Sequence, residues 1–195
     1  SELRRLASTL EEEIGKIQCS FALYGNGLKN NGSHLIDWAR MFIDEVKWAQ
    51  ATVNSIDISE GPIPNDLNVP FSLGFFNKTS LMAQPLAFKN FRENSLDLIG
   101  TKGRLTFTQE GLLTSKIVTN KHRFLENSYE LESDKSEFIV TSPGNALFNL
   151  YENLAKAIKN NCDTWSNGSS ALQGMKIIDA ICSSYKKNGA LIVIQ

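Results

Sequence analysis

The chain has 195 residues, of which 42% are hydrophobic and 21% are charged, and this composition suits one soluble domain with a sizeable core. Its net charge is -1, from 20 Lys and Arg against 21 Asp and Glu, and no basic run is interleaved with aromatic residues, so a nucleic-acid partner is not expected. No apolar run approaches the roughly 18 to 20 residues that cross a bilayer, and the charged N-terminus does not resemble a signal peptide. These features predict a cytoplasmic protein without a membrane partner.

The three cysteines, Cys19, Cys162 and Cys182, are widely spaced and have no C-x-x-C pattern. An odd number at such spacing encodes neither a disulfide framework nor a zinc site, so no metal is predicted. We expect all three to be buried thiols.

The first part of the chain has the pattern of a helix followed by a strand. Apolar residues recur at helical spacing over residues 3–14, and Gly15 stands where such a helix would stop. From Ile17 the period changes to two, which is typical of a strand with one buried face. The apolar set of this strand, which we expect to face the core, is Ile17, Cys19, Phe21 and Leu23.

A glycine-rich turn then leads into a second helix and a second extended segment. The turn is "YGNGLKNNG", residues 24–32, and the helix after it carries an apolar face. That face consists of Leu35, Trp38, Ala39 and Phe42. The segment from Glu45 resumes an extended pattern, so this region predicts a strand, helix, strand unit.

The middle of the chain, residues 68–132, is rich in short runs typical of strands. Runs such as "SLDLIG" and "RLTFTQ" are joined by turns as short as "TKG", which favours antiparallel hairpins. These runs hold more apolar residues than helices alone would hide, so we expect an exposed apolar sheet face. The apolar residues in question include Phe71, Leu73, Phe75, Leu105 and Phe107.

Two helices are predicted to close the domain. The first spans residues 146–159 and the second residues 171–186, where Ser170 and Gln173 have capping-box spacing. Their expected core faces are Leu147, Leu150, Tyr151, Leu154 and Ile158 in the first, and Leu172, Met175, Ile178, Cys182 and Tyr185 in the second. Together the elements predict one α+β domain, residues 1–195, with an open, mostly antiparallel sheet and helices on one face.

Motifs that specify chemistry on their own are absent from the sequence, which has no G-x-G-x-x-G, P-loop, H-E-x-x-H or G-x-S-x-G pattern. Any acid–base chemistry that uses histidine must therefore use His34 or His122. His122 lies between Lys121 and Arg123, where positive charge disfavours the imidazolium, and it is expected to be a solvated turn residue.

His34 follows the polar turn at the start of a helix, where unpaired backbone N–H groups favour a neutral imidazole that accepts a proton. Asp37 follows three residues later and could orient the ring, and Asn30 precedes it by four residues. The alternative is a capping turn in which the histidine only fills space and Asn30 or Asn31 is the cap. The spacing alone leaves both interpretations open.

Several segments together resemble a known domain. "NNGSHLIDWARMF" is similar to the GxHxxD helix start in the C-terminal domain of the glucose-fructose oxidoreductase and inositol dehydrogenase family, called Gfo/Idh/MocA. "LRRLASTLEEEIGKIQCSFALYG" resembles the helix and first strand of that domain, "SLDLIGTKGRLTF" its hairpin, and "NLYENLAKAIKNN" with "ALQGMKIIDAICSSYKKNG" its closing helices. The resemblance covers nearly the whole chain, in the family's order.

The resemblance implies that a dinucleotide-binding Rossmann domain with a catalytic Lys-Pro precedes this domain in a longer enzyme. NAD or NADP is then expected in the longer protein and not on these 195 residues alone. In the family an Asp-x-x-x-His pair faces the nicotinamide and the substrate hydroxyl. His34 matches the histidine, and Asn30 stands at the aspartate position, where it keeps a hydrogen-bonding side chain without charge. Tyr24 and Lys29, near the same turn, are the candidate substrate-binding residues.

The implied function is that of an NAD(P)-dependent oxidoreductase acting on a hydroxyl of a sugar, a nucleotide sugar or a cyclitol. This domain would bind the sugar-like substrate and form a homo-oligomer through the open sheet face. Asn30 keeps a second function open, a non-catalytic module for subunit association. A third is a family member that uses NAD transiently for glycoside cleavage or epimerisation.

Overall fold

The computed structural model describes residues 2–52, 57–132, 136–140 and 145–194. Within these ranges ten strands form one open sheet, two further strands pair separately, and three of the five helices pack against the large sheet. This arrangement confirms the α+β architecture with a mostly antiparallel sheet. No helix in the described ranges is both long enough and apolar enough to span a membrane.

The helices are α1 (Glu2–Ser8), α2 (Leu10–Ile14), α3 (Ser33–Phe42), α4 (Ala146–Asn160) and α5 (Gly168–Lys186). The strands are β1 (Ile17–Gly25), β2 (Val46–Ala51), β3 (Asp57–Ile58), β4 (Leu67–Asn68), β5 (Phe71–Phe75), β6 (Ser80–Leu86), β7 (Ser95–Gly100), β8 (Gly103–Thr108), β9 (Leu113–Lys121), β10 (Tyr129–Leu131), β11 (Glu137–Val140) and β12 (Ile192–Val193). A π-helical turn, Leu28–Gly32, leads directly into α3, and a 3-10 turn, Gln109–Gly111, joins β8 to β9.

Strand β1 lies in the middle of the large sheet and sets the position of α3. The strand order is β10-β9-β8-β7-β1-β6-β5-β2-β12, with β11 also paired to β9. β1 runs parallel to β6 and antiparallel to β7, and Leu23 near its end pairs with Ser95 at the start of β7. The turn before α3 therefore emerges beside the connection that enters β7.

The helix layer packs on the sheet through α3 and α5. Trp38 and Phe42 on α3 place their rings 5.9 and 4.7 Å from that of Phe107 on β8, within the range of favourable aromatic contacts. On α5, the hydroxyl of Ser184 accepts the backbone N–H of Ala51 on β2 at 2.8 Å. The core is thus one continuous layer between the sheet and these two helices.

The face of β1 that points into this core is the opposite of the expected one. The buried residues are Ser20, Ala22 and Tyr24, whereas Phe21 is 45% exposed. The period of two is confirmed, and Ile17 packs against the core as expected, but the assignment of Cys19, Phe21 and Leu23 to the core is wrong. The strand register shifts between Ile17 and Cys19, and beyond this shift the odd-numbered residues lie on the other face.

The exposed face of the sheet is also made of other residues than expected. Phe71, Leu73, Phe75, Leu105 and Phe107 are all at most 2% exposed, because they lie under the helices. The strand register instead aligns Phe21, Met82 and Phe138 in one row on the outer face, where they are 45%, 51% and 70% exposed. An exposed apolar face exists, but the residues predicted for it are buried.

The closing helices form near the expected positions, but α4 buries another face than expected and α5 buries only part of the expected face. On α4 the buried residues are Asn153 and Ala157, and the expected apolar stripe is exposed, as Ile158 at 74% illustrates. On α5, Leu172 and Met175 are exposed, but the expected Ile178 is buried and Cys182 and Tyr185 pack against the core. The other buried residues of α5 are Ile177, Ala180, Ile181 and Ser184. The cap of α5 is Asn167, whose side chain accepts the N–H of Ser170, and not Ser170 itself.

Two smaller expectations also need correction. The first predicted helix is divided into α1 and α2 at Thr9, where the backbone φ of -108° and ψ of 7° leave the helical region. Cys162 is exposed, whereas Cys19 and Cys182 are partly buried, so none of the three cysteines is a fully buried thiol.

Candidate functional site

The turn that precedes α3 is organised by a buried carboxylate that the sequence pattern does not reveal. Asp66 is 2% exposed and accepts the backbone N–H groups of Lys29 at 2.9 Å, Asn30 at 3.1 Å and Leu67 at 2.9 Å. Gly27 has a φ of 98°, and a Cβ there would lie 2.0 Å from an Asp66 carboxylate oxygen. Asp66 and Gly27 therefore fit together, and no other residue type fits at Gly27 without displacing the carboxylate.

This arrangement changes the expected surroundings of His34. The helical backbone begins at Leu28, five residues before α3, so His34 does not face the first, unpaired N–H groups. Those of Lys29 and Asn30 are bound by Asp66. Neither Asn30 nor Asn31 caps α3 with its side chain, so the capping interpretation is not supported either.

His34 is exposed and lines a cavity of about 350 Å³. Its imidazole has no hydrogen-bond partner in the part of the chain that the structure describes. The other lining residues are Asn31, Leu35 and Trp38 from the helical segment, Ser95 at the start of β7, and Arg92, Asn94 and Glu110 from the connections that enter and leave the β7–β8 hairpin. The His34 ring is thus free to contact a molecule in this cavity.

The charged groups of this cavity neutralise each other. Arg92 donates to Glu110 at 2.6 Å, and its guanidinium lies 5.7 Å from the centre of the Phe88 ring. The remaining lining side chains with polar atoms, apart from His34, are neutral amides, a serine hydroxyl and an indole. The cavity therefore combines an available base with uncharged hydrogen-bonding groups.

Tyr24, a candidate substrate-binding residue, lies in the core. Its side chain is fully buried, and its hydroxyl accepts the N–H of Val69 at 2.9 Å and donates to the Val69 carbonyl at 2.6 Å. Burial raises the pKa of the Tyr24 phenol, so it stays neutral. Both hydrogen-bonding directions of the hydroxyl are occupied by backbone, so the Tyr24 hydroxyl is not available to a substrate.

The structure does not bring Asn30 or Lys29 into the cavity with His34. Asn30 is partly buried, and its backbone carbonyl accepts a hydrogen bond from the Ser33 hydroxyl. Lys29 is exposed, and its positive charge acts on the Cys182 thiol of α5. Burial raises the pKa of that thiol, and the charge of Lys29 opposes the rise. The neighbour Asn31 lines the cavity instead, which the four-residue spacing to His34 gave no reason to choose.

Asp37 and His122, the two other residues considered for histidine chemistry, have contacts of their own in the structure. Asp37 forms an ion pair with Arg40 at 3.6 Å and does not line the cavity, so it does not orient the His34 ring. His122 accepts the backbone N–H groups of Phe124 and Leu125 at 3.1 and 3.0 Å. Those bonds close the turn between β9 and β10.

A larger cavity, of about 470 Å³, lies near the same turn but holds no histidine or cysteine. It is lined by residues of β3, β4 and the end of β6, and its lysine, Lys89, lies 3.6 Å from Glu60. Across the described ranges, no three His, Cys, Asp or Glu side chains are grouped so that they could hold a metal ion. Two further cavities, of about 470 and 560 Å³, also have no histidine or cysteine in their lining. The cavity that contains His34 is therefore the candidate site, although these others are larger.

No protein-family model and no curated protein matches the sequence. Solved structures match the fold over almost the whole chain. Levoglucosan dehydrogenase in complex with NADH and levoglucosan has 16% sequence identity and a TM-score of 0.73, over 98% of this chain and 65% of that one. An oxidoreductase domain protein from Kribbella flavida has 14% identity and a TM-score of 0.74, over 100% and 63%.

A third match is an oxidoreductase from Agrobacterium radiobacter in complex with NAD+, L-tartaric acid and magnesium, with 15% identity and a TM-score of 0.66, over 98% and 61%. The chain thus spans less than two thirds of the length of these structures. The chain has the fold found in these NAD-binding oxidoreductases, which confirms, at the level of the fold, its resemblance to the C-terminal domain of the Gfo/Idh/MocA family.

Proposed function

We propose that residues 1–195 form the substrate-binding and oligomerisation domain of an NAD(P)-dependent oxidoreductase that acts on a hydroxyl of a sugar, a nucleotide sugar or a cyclitol. The observation that carries this proposal is the exposed imidazole of His34, without a protein partner, in the wall of a polar cavity. The shared fold with dehydrogenases solved with NADH, levoglucosan and L-sorbose supports the substrate class.

The described residues do not fit a dinucleotide on their own. A pyrophosphate binds where a helix N-terminus offers free N–H groups, and at the start of the helical run before α3 those groups are bound to the buried carboxylate of Asp66. A second negative group is disfavoured beside that carboxylate. The proposal therefore assigns cofactor binding to a nucleotide-binding domain outside these residues. It assigns substrate binding and acceptance of the substrate's proton to this chain.

In the proposed reaction His34 accepts the proton of the substrate hydroxyl as that carbon is oxidised. The nicotinamide cofactor, when bound, supplies the acceptor for the hydride. A base must lie within about 3 Å of the proton it removes, and the free imidazole in the cavity wall meets this condition for a hydroxyl bound beside it. Asn30, at the position of the family's aspartate, carries no charge and does not line this cavity, so the proposal assigns it no part in the proton transfer.

The test is turnover of a polypeptide that joins this chain to a nucleotide-binding domain, assayed by NADH or NADPH formation with a panel of sugars and cyclitols. His34→Gln should lower kcat by roughly 10²- to 10⁴-fold, the usual contribution of a positioned base. The thermal midpoint should change little, because the imidazole is exposed and unpaired.

His122→Gln is the matched control, since it removes the other histidine from a distant turn. It should keep full turnover. If both substitutions have equal effects on kcat, or if His34→Gln changes only stability, His34 is not the base. A chain whose wild type forms oligomers but turns over none of the panel would favour the non-catalytic association module.

A further inference from the structure

Two side-chain atoms in the wall of the His34 cavity are buried without a hydrogen-bond partner: Nδ2 of Asn31 and Oδ1 of Asn94. Asn31 is only 8% exposed. Buried polar side-chain atoms are nearly always paired in folded proteins, because an unpaired one costs stability. In the part of the chain that the structure describes, these are the two side-chain atoms of this kind, and both lie in this one cavity.

The two atoms have opposite hydrogen-bonding character. The Asn31 amide nitrogen donates, and the Asn94 amide oxygen accepts. A hydroxyl group can accept from the first and donate to the second, whereas a carboxylate can satisfy only the donor. A hydroxyl group can therefore pair both atoms, whereas a carboxylate group placed between them would leave the Asn94 oxygen facing a negative charge.

The charges in the cavity lead to the same ligand class. Arg92 is the cation in the lining, and its guanidinium is engaged by Glu110 at 2.6 Å. The charges of Arg92 and Glu110 cancel, so the lining has no net positive charge to balance an anionic ligand, and Glu110 itself opposes one. Leu35 and Trp38 complete the wall with apolar and aromatic surface, as is usual for a small-molecule site with few polar groups.

Both amides are held on ordered backbone. Asn31 lies in the π-helical turn whose N–H groups bind Asp66. The Asn94 carbonyl accepts the N–H of Glu110 at 3.0 Å, and the preceding residue, Glu93, accepts the N–H of Gln109 at 2.8 Å. The donor and the acceptor are thus positioned before a ligand arrives, which reduces the ordering that binding requires.

We infer that Asn31 and Asn94 bind a hydroxyl group, or two adjacent hydroxyl groups, of a neutral polyol in the His34 cavity, and that they discriminate against hydroxy acids. This inference deepens the proposed function and rests on it for the identity of the polyol as the substrate. The binding itself is measured without cofactor or turnover.

The experiment is a titration of the ¹⁵N-labelled chain with myo-inositol, followed by the side-chain NH₂ signals of its asparagines, with D-gluconate at matched ionic strength as the acidic probe. The signals of Asn31 and Asn94 should shift saturably with myo-inositol, and D-gluconate should bind at least about tenfold more weakly. No saturable shift at these two residues, or equal affinity for the acid, would overturn the inference.

Asn31→Leu and Asn94→Leu should each weaken myo-inositol binding by roughly 10-fold or more, because the ligand hydroxyl loses its partner. Neither should lower the thermal midpoint, since each removes an unpaired buried atom. Asn90→Leu, an exposed asparagine in the same connection, is the matched control and should bind as the wild type does. A lower thermal midpoint in both cavity variants would show that the amides are paired in the free protein, and the inference would then fail.

The outcomes separate this inference from the proposed function. If His34→Gln abolishes turnover while the two leucine variants bind myo-inositol normally, the inference fails and the function stands. If the leucine variants lose binding while His34→Gln retains turnover, the polyol site stands and the role of His34 as the base fails.

Discussion

Asp66 is the residue on which the geometry before His34 depends. Its carboxylate gathers three backbone N–H groups, and its position against Gly27 fixes where the helical run starts. Hydrogen bonds to a charged acceptor are stronger than neutral ones, and removing the acceptor leaves the donors without a partner. A residue that never touches the cavity therefore determines where the cavity's base lies.

Replacement of Asp66 by alanine should lower the free energy of unfolding by roughly 2 to 4 kcal/mol, because buried N–H groups lose a charged acceptor. Urea denaturation measures the change. Asp57→Ala removes an exposed carboxylate from the strand paired with β4 and should have an effect within about 0.5 kcal/mol. Similar losses in the two variants would mean that Asp66 does not hold the turn.

The thiols should differ in reactivity according to their surroundings. Burial raises the pKa of Cys182, so less of it is thiolate at a given pH than in a free cysteine, and the thiolate is the reactive form. Cys162 is exposed. With a disulfide reagent at pH 8, Cys162 should react first, and the Cys182 rate should still be rising at a pH where free cysteine, with a pKa of about 8.5, has levelled off.

Cys162→Ser is the control for this assignment. It should remove the fast phase of the reaction and leave the slow one. A fast phase that persists in Cys162→Ser and disappears in Cys182→Ser would contradict the expected order.

At the scale of elements, α5 is attached to the sheet by a hydrogen bond as well as by apolar contacts. The hydroxyl of Ser184 is fully buried and accepts the N–H of Ala51, while Ile177 and Ile181 pack into the core from the same helix. β2 lies between β5 and β12 in the sheet, and β12 follows α5 in the chain. The helix and the edge of the sheet therefore stabilise each other.

Ser184→Ala should destabilise the chain by roughly 1 to 3 kcal/mol, because the buried N–H of Ala51 is left without its acceptor. Ser183→Ala, one position away and partly exposed, should cost less than about 0.5 kcal/mol. The comparison is made by thermal and chemical unfolding of both variants. Equal losses of stability in the two variants would show that this hydrogen bond does not hold α5 on the sheet.

The "GTKG" hairpin could be predicted from the sequence, but the tertiary contact that requires its first glycine could not. The sequence predicts a tight turn between β7 and β8, and the structure confirms it. The structure adds that a Cβ at Gly100 would lie 2.1 Å from the carbonyl oxygen of Ile14, and that the N–H of Lys102 donates to that carbonyl at 2.8 Å. The glycine is required by the end of α2, some 85 residues earlier, and no local pattern contains that contact.

For the whole molecule, the uncovered sheet face is the surface that most needs a partner. Phe21 and Met82 pair across β1 and β6 at the centre of the sheet, and both are about half exposed. Exposed apolar surface of this kind is typical of subunit interfaces. The same face carries a polar group, in which Arg104 donates to Asp97 at 2.7 Å. A polar pair beside apolar side chains suits an interface that is specific as well as apolar.

We predict that the chain forms a homodimer or a larger assembly through this face. Sedimentation at about tens of micromolar should show it, since stable interfaces persist at such concentrations. The double substitution Phe21→Lys with Met82→Lys should yield monomers, and Phe124→Lys, at an exposed phenylalanine in the β9–β10 turn, should not. A wild-type chain that is monomeric under these conditions would refute the prediction.

We also predict that the 195-residue chain folds but does not bind NAD or NADP with useful affinity, because Asp66 occupies the helical N–H groups near the site. Titration calorimetry with both nucleotides tests this, and a melting curve shows that the chain is folded. Saturable binding in the low micromolar range, about -8 kcal/mol, would mean that these residues carry their own cofactor site.

At the candidate site, the sequence pointed to His34 through its place at a helix start and through the family resemblance. It did not find Asp66, because a carboxylate 36 residues after Asn30 has no periodic or motif relation to the turn it holds. It chose Asn30 by its spacing to His34, whereas the cavity is lined by Asn31, because the π-helical turn changes which side chain faces inward.

The sequence by itself determined the positions of most helices and strands, the short turns between them and the α+β class, because spacing and turn residues act locally. Only the tertiary structure decided which faces are buried. Both sets of side chains on β1 can pack in a core, so the face under α3 and α5 depends on helix position and not on apolarity alone. The apolar stripe of α4 has a helical period but stays exposed, because periodicity specifies a face without specifying what covers it.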